Sequence, residues 1–233
     1  MPPTIRPRDA ASLLLLKKGA QGPSVLMGRR PPSSSFIPDA FVFPGGKVDP
    51  QDREIPCPLP LAPATARALQ SSASVNANAA RALANAAIRE TYEETGLLVA
   101  RKAAFRPGPG GTWSDFEARG LCPDLSALRL IGRAITPSVS PVRYHARFFA
   151  ADAAHARGEI RSNQELLDLA WYPIKEALGL PIIDVTRFML EEARRWGQSS
   201  TGRSGRQPQR RLFVRYRRET PILDYDESRP PIT

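Results

Sequence analysis

Arg89, Glu90, Glu93 and Glu94 could do chemistry together, in a stretch reading Ile-Arg-Glu-Thr-Tyr-Glu-Glu-Thr-Gly-Leu over positions 88–97. On a helix, acids at i, i+3 and i+4 fall within one arc, so their oxygens can converge on a single point. At about 100° per residue, Ala80, Leu83, Ala84, Ala87 and Thr91 make an apolar stripe, with Glu94 on its flank. Ionising such acids at a low-dielectric edge is costly unless a cation neutralises them. Hard oxygen ligands with room for water suit Mg²⁺ or Mn²⁺, which bridge phosphate oxygens. The same residues could instead form a solvated face on which Arg89 pairs with Glu93.

A glycine element upstream favours the first reading. Phe41, Val42 and Phe43 predict a short buried strand that Pro44 ends, and Gly45-Gly46 lets backbone come close to a ligand or ion. Arg29 and Arg30 stand at the mouth of a Pro- and Ser-rich loop, where guanidiniums could clamp a diphosphate or simply be solvated. In the strand expected over 142–151, Arg143 and Arg147 share a face with His145, placing cations where a phosphate could lie.

These segments resemble the Nudix box, G-x5-E-x7-R-E-U-x-E-E-x-G-U with U aliphatic. Arg89, Glu90, Glu93, Glu94, Gly96 and Leu97 match its second half, with Thr91 in an aliphatic slot. Gly46 matches the box glycine, and Asp52 stands in the slot of the first Glu. Between Asp52 and Arg89 lie 36 residues where the pattern has seven, so the box is split by a 29-residue insertion. A split box of this kind, with Thr136-Pro137 and the Arg143 to Phe149 segment, is similar to the Nudix subgroup of peroxisomal coenzyme A diphosphohydrolases.

The resemblance implies an α/β fold, an α/β/α sandwich with a central mixed sheet. It implies a pyrophosphohydrolase dependent on Mg²⁺ or Mn²⁺, with Glu90, Glu93, Glu94 and the Gly45 carbonyl as metal ligands and Arg89 holding the carboxylate array. A general base outside the helix is expected, Glu165 first and Glu159 second. Arg29, Arg30, Arg143 and Arg147 are the expected substrate-binding residues. The substrate would be a small nucleoside diphosphate derivative, coenzyme A or acyl-CoA foremost. The alternative is a non-catalytic module that binds a nucleotide or RNA through an arginine-rich tail.

Those residues need elements to position them. Asn78 is an expected N-cap for a helix over 79–95 stopped by Gly96. Residues 11–17 and 24–29 read as a hairpin, and 97–100, 129–135 and 169–172 as further strands. Residues 113–119 and 184–196 read as helices, and 212–214 as an edge strand. The insertion, residues 50–76, carries many Pro, Ala and Ser and reads as a surface excursion, either a lid or a loop without a role. One domain over 1–200 with a basic extension over 201–233 is expected.

The composition bounds the rest. A 233-residue chain with 42% hydrophobic and 24% charged residues can bury one good core. Its net charge of +10 resides almost wholly in residues 194–218, which hold nine arginines and no acid. That tract could bind a polyanion or a neighbouring subunit, which leaves a homodimer open, or be a solvated tail. Two cysteines are too few for a disulfide framework and fit a reducing cytoplasm. No run is apolar enough for a signal peptide or membrane span.

Overall fold

The structure, a computed structural model, describes residues 5–19, 22–73, 75–108, 110–199 and 210–227. In chain order, strands β1 (Arg8–Lys17), β2 (Ser24–Arg29), β3 (Phe41–Val42) and β4 (Gly45–Lys47) lead into helices α1 (Pro50–Glu54), α2 (Pro63–Ala73) and α3 (Ala77–Thr95). Strand β5 (Leu98–Lys102), helix α4 (Thr112–Ala118) and strands β6 (Leu121–Pro123), β7 (Arg129–Ile135), β8 (Tyr144–Asp152), β9 (Ala156–Arg157) and β10 (Leu167–Pro173) follow. Helices α5 (Ile174–Ala177) and α6 (Asp184–Ser199) precede a closing hairpin, β11 (Arg210–Arg217) and β12 (Thr220–Glu227).

The four-leucine run of β1 explains the layering. Side chains alternate across a strand, so Leu13 and Leu15 join Ala84, Ala87 and Ile88 of α3, while Leu14 and Leu16 join Met189 and Leu190 of α6. All four are at most 6% exposed. Burying each contributes about 1.5–3 kcal/mol, which fixes β1 as the middle of a helix-sheet-helix stack. The sheet order is β10-β2-β1-β8-β7-β11-β12, with β3 on β2 and β4 on β1. It is mixed: β1–β8 and β7–β11 are parallel and the other pairs antiparallel. The expected α/β/α sandwich is the fold observed. A second small sheet runs β6-β5-β9.

Three expectations change. Residues 50–76 are not a surface excursion, because they fold into α1 and α2, and Ile55, Ala68, Leu69 and Val75 are buried in the core beneath α3. Helix α3 begins two residues earlier than expected, since Asn76 rather than Asn78 is the N-cap, its side chain accepting from Ala79 N at 2.8 Å. Residues 212–214 are not an edge strand but lie within β11, whose parallel pairing with β7 leaves β12 as the edge. Residues 200–209 and 228–233, which include part of the basic tract, lie outside the described residues. Among the described residues no helix is long and apolar enough to cross a membrane.

Candidate active site

Helix α3 delivers its acids to β4 because its opposite stripe is sealed. Ala80, Ala84, Ala87 and Ile88 are at most 1% exposed, and Thr91 Oγ1 donates to Ala87 O at 2.7 Å. That bond lets a hydroxyl stand where an aliphatic residue is usual. Gly96 ends the helix at φ 76, and a Cβ there would come within 2.9 Å of the Glu159 carbonyl.

Arg89 is the hub. It is 6% exposed, and all five of its N–H donors have acceptors. Nε and Nη2 donate to Asp52 Oδ1 and Oδ2, both at 3.0 Å, and Nη2 also reaches Lys47 O at 3.0 Å. Nη1 divides between Glu90 Oε1 and Glu93 Oε2, each at 2.9 Å. Burial opposes the guanidinium's charge, but Asp52, Glu90 and Glu93 together raise its pKa above the ordinary value. Asp52 is fully buried, and its Oδ2 also accepts from Asp49 N at 2.8 Å. The halves separated in sequence thus meet in space, with Asp52 gripping Arg89. Sequence contained a trace of this, since Asp49-Pro50-x-Asp52 has the form of a helix-start box.

The three glutamates take different places. Glu90 lies flat against Gly46, where an added Cβ would fall 2.5 Å from its carboxyl carbon. Glu94 is 7% exposed, and its Oε2 accepts from Gly45 N at 2.9 Å. Glu93 is one-third exposed; Thr112 Oγ1 donates to its Oε1 while Arg89 holds its Oε2. Convergence of all three on a single point is therefore corrected: Glu90 and Glu94 flank the glycine pair, and Glu93 leans toward α4. Among the described residues no three His, Cys, Asp or Glu side chains form a group that could hold a metal ion. Arg89 is the counter-charge for Glu90 and Glu93 in this arrangement.

The donor set nonetheless suits a hard cation. Burial raises the Glu94 pKa to about 8, against the lowering effect of the Gly45 N–H, with Glu90 and Glu165 adding to it and Arg30 opposing. Burial likewise raises Glu90 despite Arg89. Glu90 Oε2 and Glu94 Oε1 accept no protein hydrogen bond among the described residues. Two under-compensated carboxylates beside a bare glycine backbone are oxygen ligands short of positive charge, and a divalent ion is what would supply it.

A cavity of about 660 Å³ opens on the other side of the glycine pair, toward α6. Gly45 and Gly46 are in its wall, with Phe36, Phe43, Tyr144, Phe148 and Tyr216 among an otherwise largely apolar lining. Of the four expected substrate arginines, Arg30 lines this cavity and also acts on Glu94. Its Nη1 donates to Phe36 O at 2.8 Å, and its guanidinium lies 5.6 Å from the Phe36 ring centroid.

Arg29, Arg143 and Arg147 do not line this cavity and are held by protein partners. Arg29 braces Asp39 and Asp168 at 2.8 and 2.7 Å, two carboxylates that neutralise it. Arg143 donates to Ile5 O at 2.8 Å, tying down the N-terminal segment. Arg147 is 3% exposed and paired with Asp9 at 2.7 Å; it faces the α3 side, away from the cavity-lining Tyr144, Ala146 and Phe148. Burial, Arg147 and Arg133 lower the His145 pKa to about 3, so its imidazole is neutral and offers phosphate no charge. Glu165 and Glu159 both lie in the exposed loop after β9, and the charge of Glu165 acts on Glu94. In the basic tract, Arg215 pairs with Asp224, Arg210 lies over Tyr225 and Arg211 is buried. Arg210 and Arg215 thus make contacts within the hairpin while staying at its surface.

Comparison with solved structures decides the family. The chain is 31% identical to a NUDIX hydrolase from Alicyclobacillus acidocaldarius, over 81% of this chain and 91% of that one, with a TM-score of 0.63. This chain belongs to the Nudix hydrolases. It also aligns with a MutT NUDIX hydrolase from Burkholderia pseudomallei, at 18% identity, 81% and 98% coverage and a TM-score of 0.47. The NUDIX domain of Shewanella oneidensis NrtR, solved with ADP ribose, gives 13% identity, 82% and 89% coverage and 0.47. No protein-family profile and no curated protein matches the chain. As a Nudix hydrolase the protein is a pyrophosphohydrolase. Enzymes of this family generally use divalent metals.

Proposed function

We propose that this Nudix hydrolase cleaves a diphosphate whose non-reacting end is bulky and largely apolar, with coenzyme A or an acyl-CoA as the favoured substrate. The observation that carries this reading is the shared wall: the Gly45–Gly46 backbone separates Glu90 and Glu94 from the aromatic-lined cavity. A diphosphate lying over the glycine pair would leave one substituent in that cavity. Arg30, which lines the cavity and acts electrostatically on Glu94, would orient the phosphate nearer the cavity by charge and hydrogen bonding.

Mg²⁺ or Mn²⁺ would be held by Glu90, Glu94 and Glu93 with the Gly45 carbonyl. When bound, the ion supplies an acidified water and stabilises charge on the departing phosphate oxygen. Arg89 sets the orientations of Glu90 and Glu93, and Asp52 keeps Arg89 from swinging onto them fully. Glu165 would take the proton of the attacking water, since it lies in the exposed loop after β9 and its charge acts on Glu94. The apolar lining excludes bulk water from the far substituent, which favours substrates with substantial apolar surface beyond the diphosphate.

The test is to incubate the full-length protein with Mg²⁺ and a panel of coenzyme A, acyl-CoA, NADH, ADP-ribose and dinucleoside polyphosphates, identifying products by mass. The expected result is 3′-phospho-AMP with 4′-phosphopantetheine or its acyl ester, formed faster than products from the others. Preferential cleavage of ADP-ribose or a dinucleoside polyphosphate would refute the coenzyme A assignment while leaving the chemistry intact.

A further inference from the structure

We propose that Thr112 is a positioning residue for the Glu93 carboxylate, acting from a glycine-hinged strap that lies outside the catalytic helix. The inference rests on the reading of Glu93 as a metal ligand. Gly110 and Gly111 have φ of 84° and 72°, a backbone that side-chain-bearing residues rarely adopt, and this turn aims Thr112 at α3. The strap is then locked down by the residues that follow. Trp113 and Phe116 are at most 1% exposed, and the Tyr92 ring meets Phe116 edge-on at 5.6 Å. The Tyr92 hydroxyl donates to Asp115 at 2.7 Å. Helix α4 is thereby docked through the residue immediately preceding Glu93.

Glu93 needs such a brace more than its neighbours do. Glu90 lies against Gly46 and is held by Arg89, and Glu94 accepts from Gly45 N–H, but Glu93 is one-third exposed on a rotatable stem. Arg89 fixes one of its oxygens and the Thr112 hydroxyl the other. Each carboxylate oxygen has two lone pairs, so a donor on Oε1 sets the plane of the group and leaves a lone pair for a cation. A hydroxyl in this position orients a ligand without competing for it, and losing such an outer partner typically costs about 10- to 100-fold in metal affinity or activity.

The experiment is Mn²⁺ binding to the full-length chain without substrate, by calorimetry or electron paramagnetic resonance, for wild type, Thr112→Val, Thr112→Ala, Thr112→Ser and Glu93→Gln. Both hydroxyl-free variants should bind Mn²⁺ about tenfold more weakly, and Thr112→Ser should stay within about twofold of wild type. Metal half-saturation in turnover should rise in parallel, with KM for the diphosphate at saturating Mn²⁺ unchanged. Unaltered or tighter Mn²⁺ binding in both hydroxyl-free variants, with Glu93→Gln weakened, overturns the role of Thr112 alone. Unaltered binding in Glu93→Gln overturns the ligand assignment itself and the inference with it.

Discussion

Asp52→Ala is the most direct test of how this box is held together across its insertion. The carboxylate is fully buried and takes two hydrogen bonds from Arg89 at 3.0 Å and one from Asp49 N at 2.8 Å. Removing one partner of a buried, hydrogen-bonded ion pair typically costs about 3–5 kcal/mol. Arg89 retains Glu90, Glu93 and the Lys47 carbonyl, so the lower end applies and we expect about 3 kcal/mol. For a chain of this size that lowers Tm by roughly 6–12 °C. Urea unfolding followed by tryptophan fluorescence measures it directly. A second consequence concerns chemistry: Arg89, released by Asp52, closes on Glu90 and Glu93, so half-saturating Mg²⁺ should rise several-fold. Asp52→Asn, which keeps volume and one acceptor, should be intermediate on both counts. A loss below about 0.5 kcal/mol for Asp52→Ala, with unchanged metal dependence, would refute the idea that this pair docks α1 on the catalytic helix.

Other predictions address the site itself. Gly46→Ala places a Cβ 2.5 Å from the Glu90 carboxyl carbon, and displacing that group by about 1 Å should lower kcat/KM about 100-fold; circular dichroism should show the fold retained. Glu94 has a folded pKa of about 8, raised from an ordinary 4.5, so the folded state binds its proton more tightly than the unfolded one. That contribution is complete below about pH 4.5 and is lost as pH rises through about 8. Metal-free protein in EDTA should therefore melt progressively lower between about pH 5 and 8, a slope that Glu94→Gln should flatten; an equal slope in both would contradict the assignment. Glu165→Gln should lower kcat at saturating metal by about 100-fold or more with little change in KM, and unchanged turnover would remove Glu165 as the base.

Much of the site could be read from residue order because its parts are local. The i, i+3, i+4 acids, the Gly96 stop and the Gly45–Gly46 pair each depend on helix periodicity or on glycine's backbone freedom, and these act within a few residues. The sandwich followed from the resemblance, and the packing of both faces of the four-leucine strand accounts for it. Partnerships across long separations were not. Asp52 and Arg89 meet only because α1 and α2 pack beneath α3, and nothing in a Pro- and Ala-rich segment announces that its few apolar side chains will be buried.

Arginine alone did not reveal which of its copies would face a ligand. Arg29, Arg30, Arg143 and Arg147 are chemically alike, and the placement of Asp39, Asp168 and Asp9 left Arg30 alone among them in the cavity wall. The residue types determined which chemistry was available, oxygen ligands beside a flexible backbone. Tertiary structure decided how far those ligands converge and which charges are already satisfied, because burial and pairing are properties of neighbours brought together from distant parts of the chain.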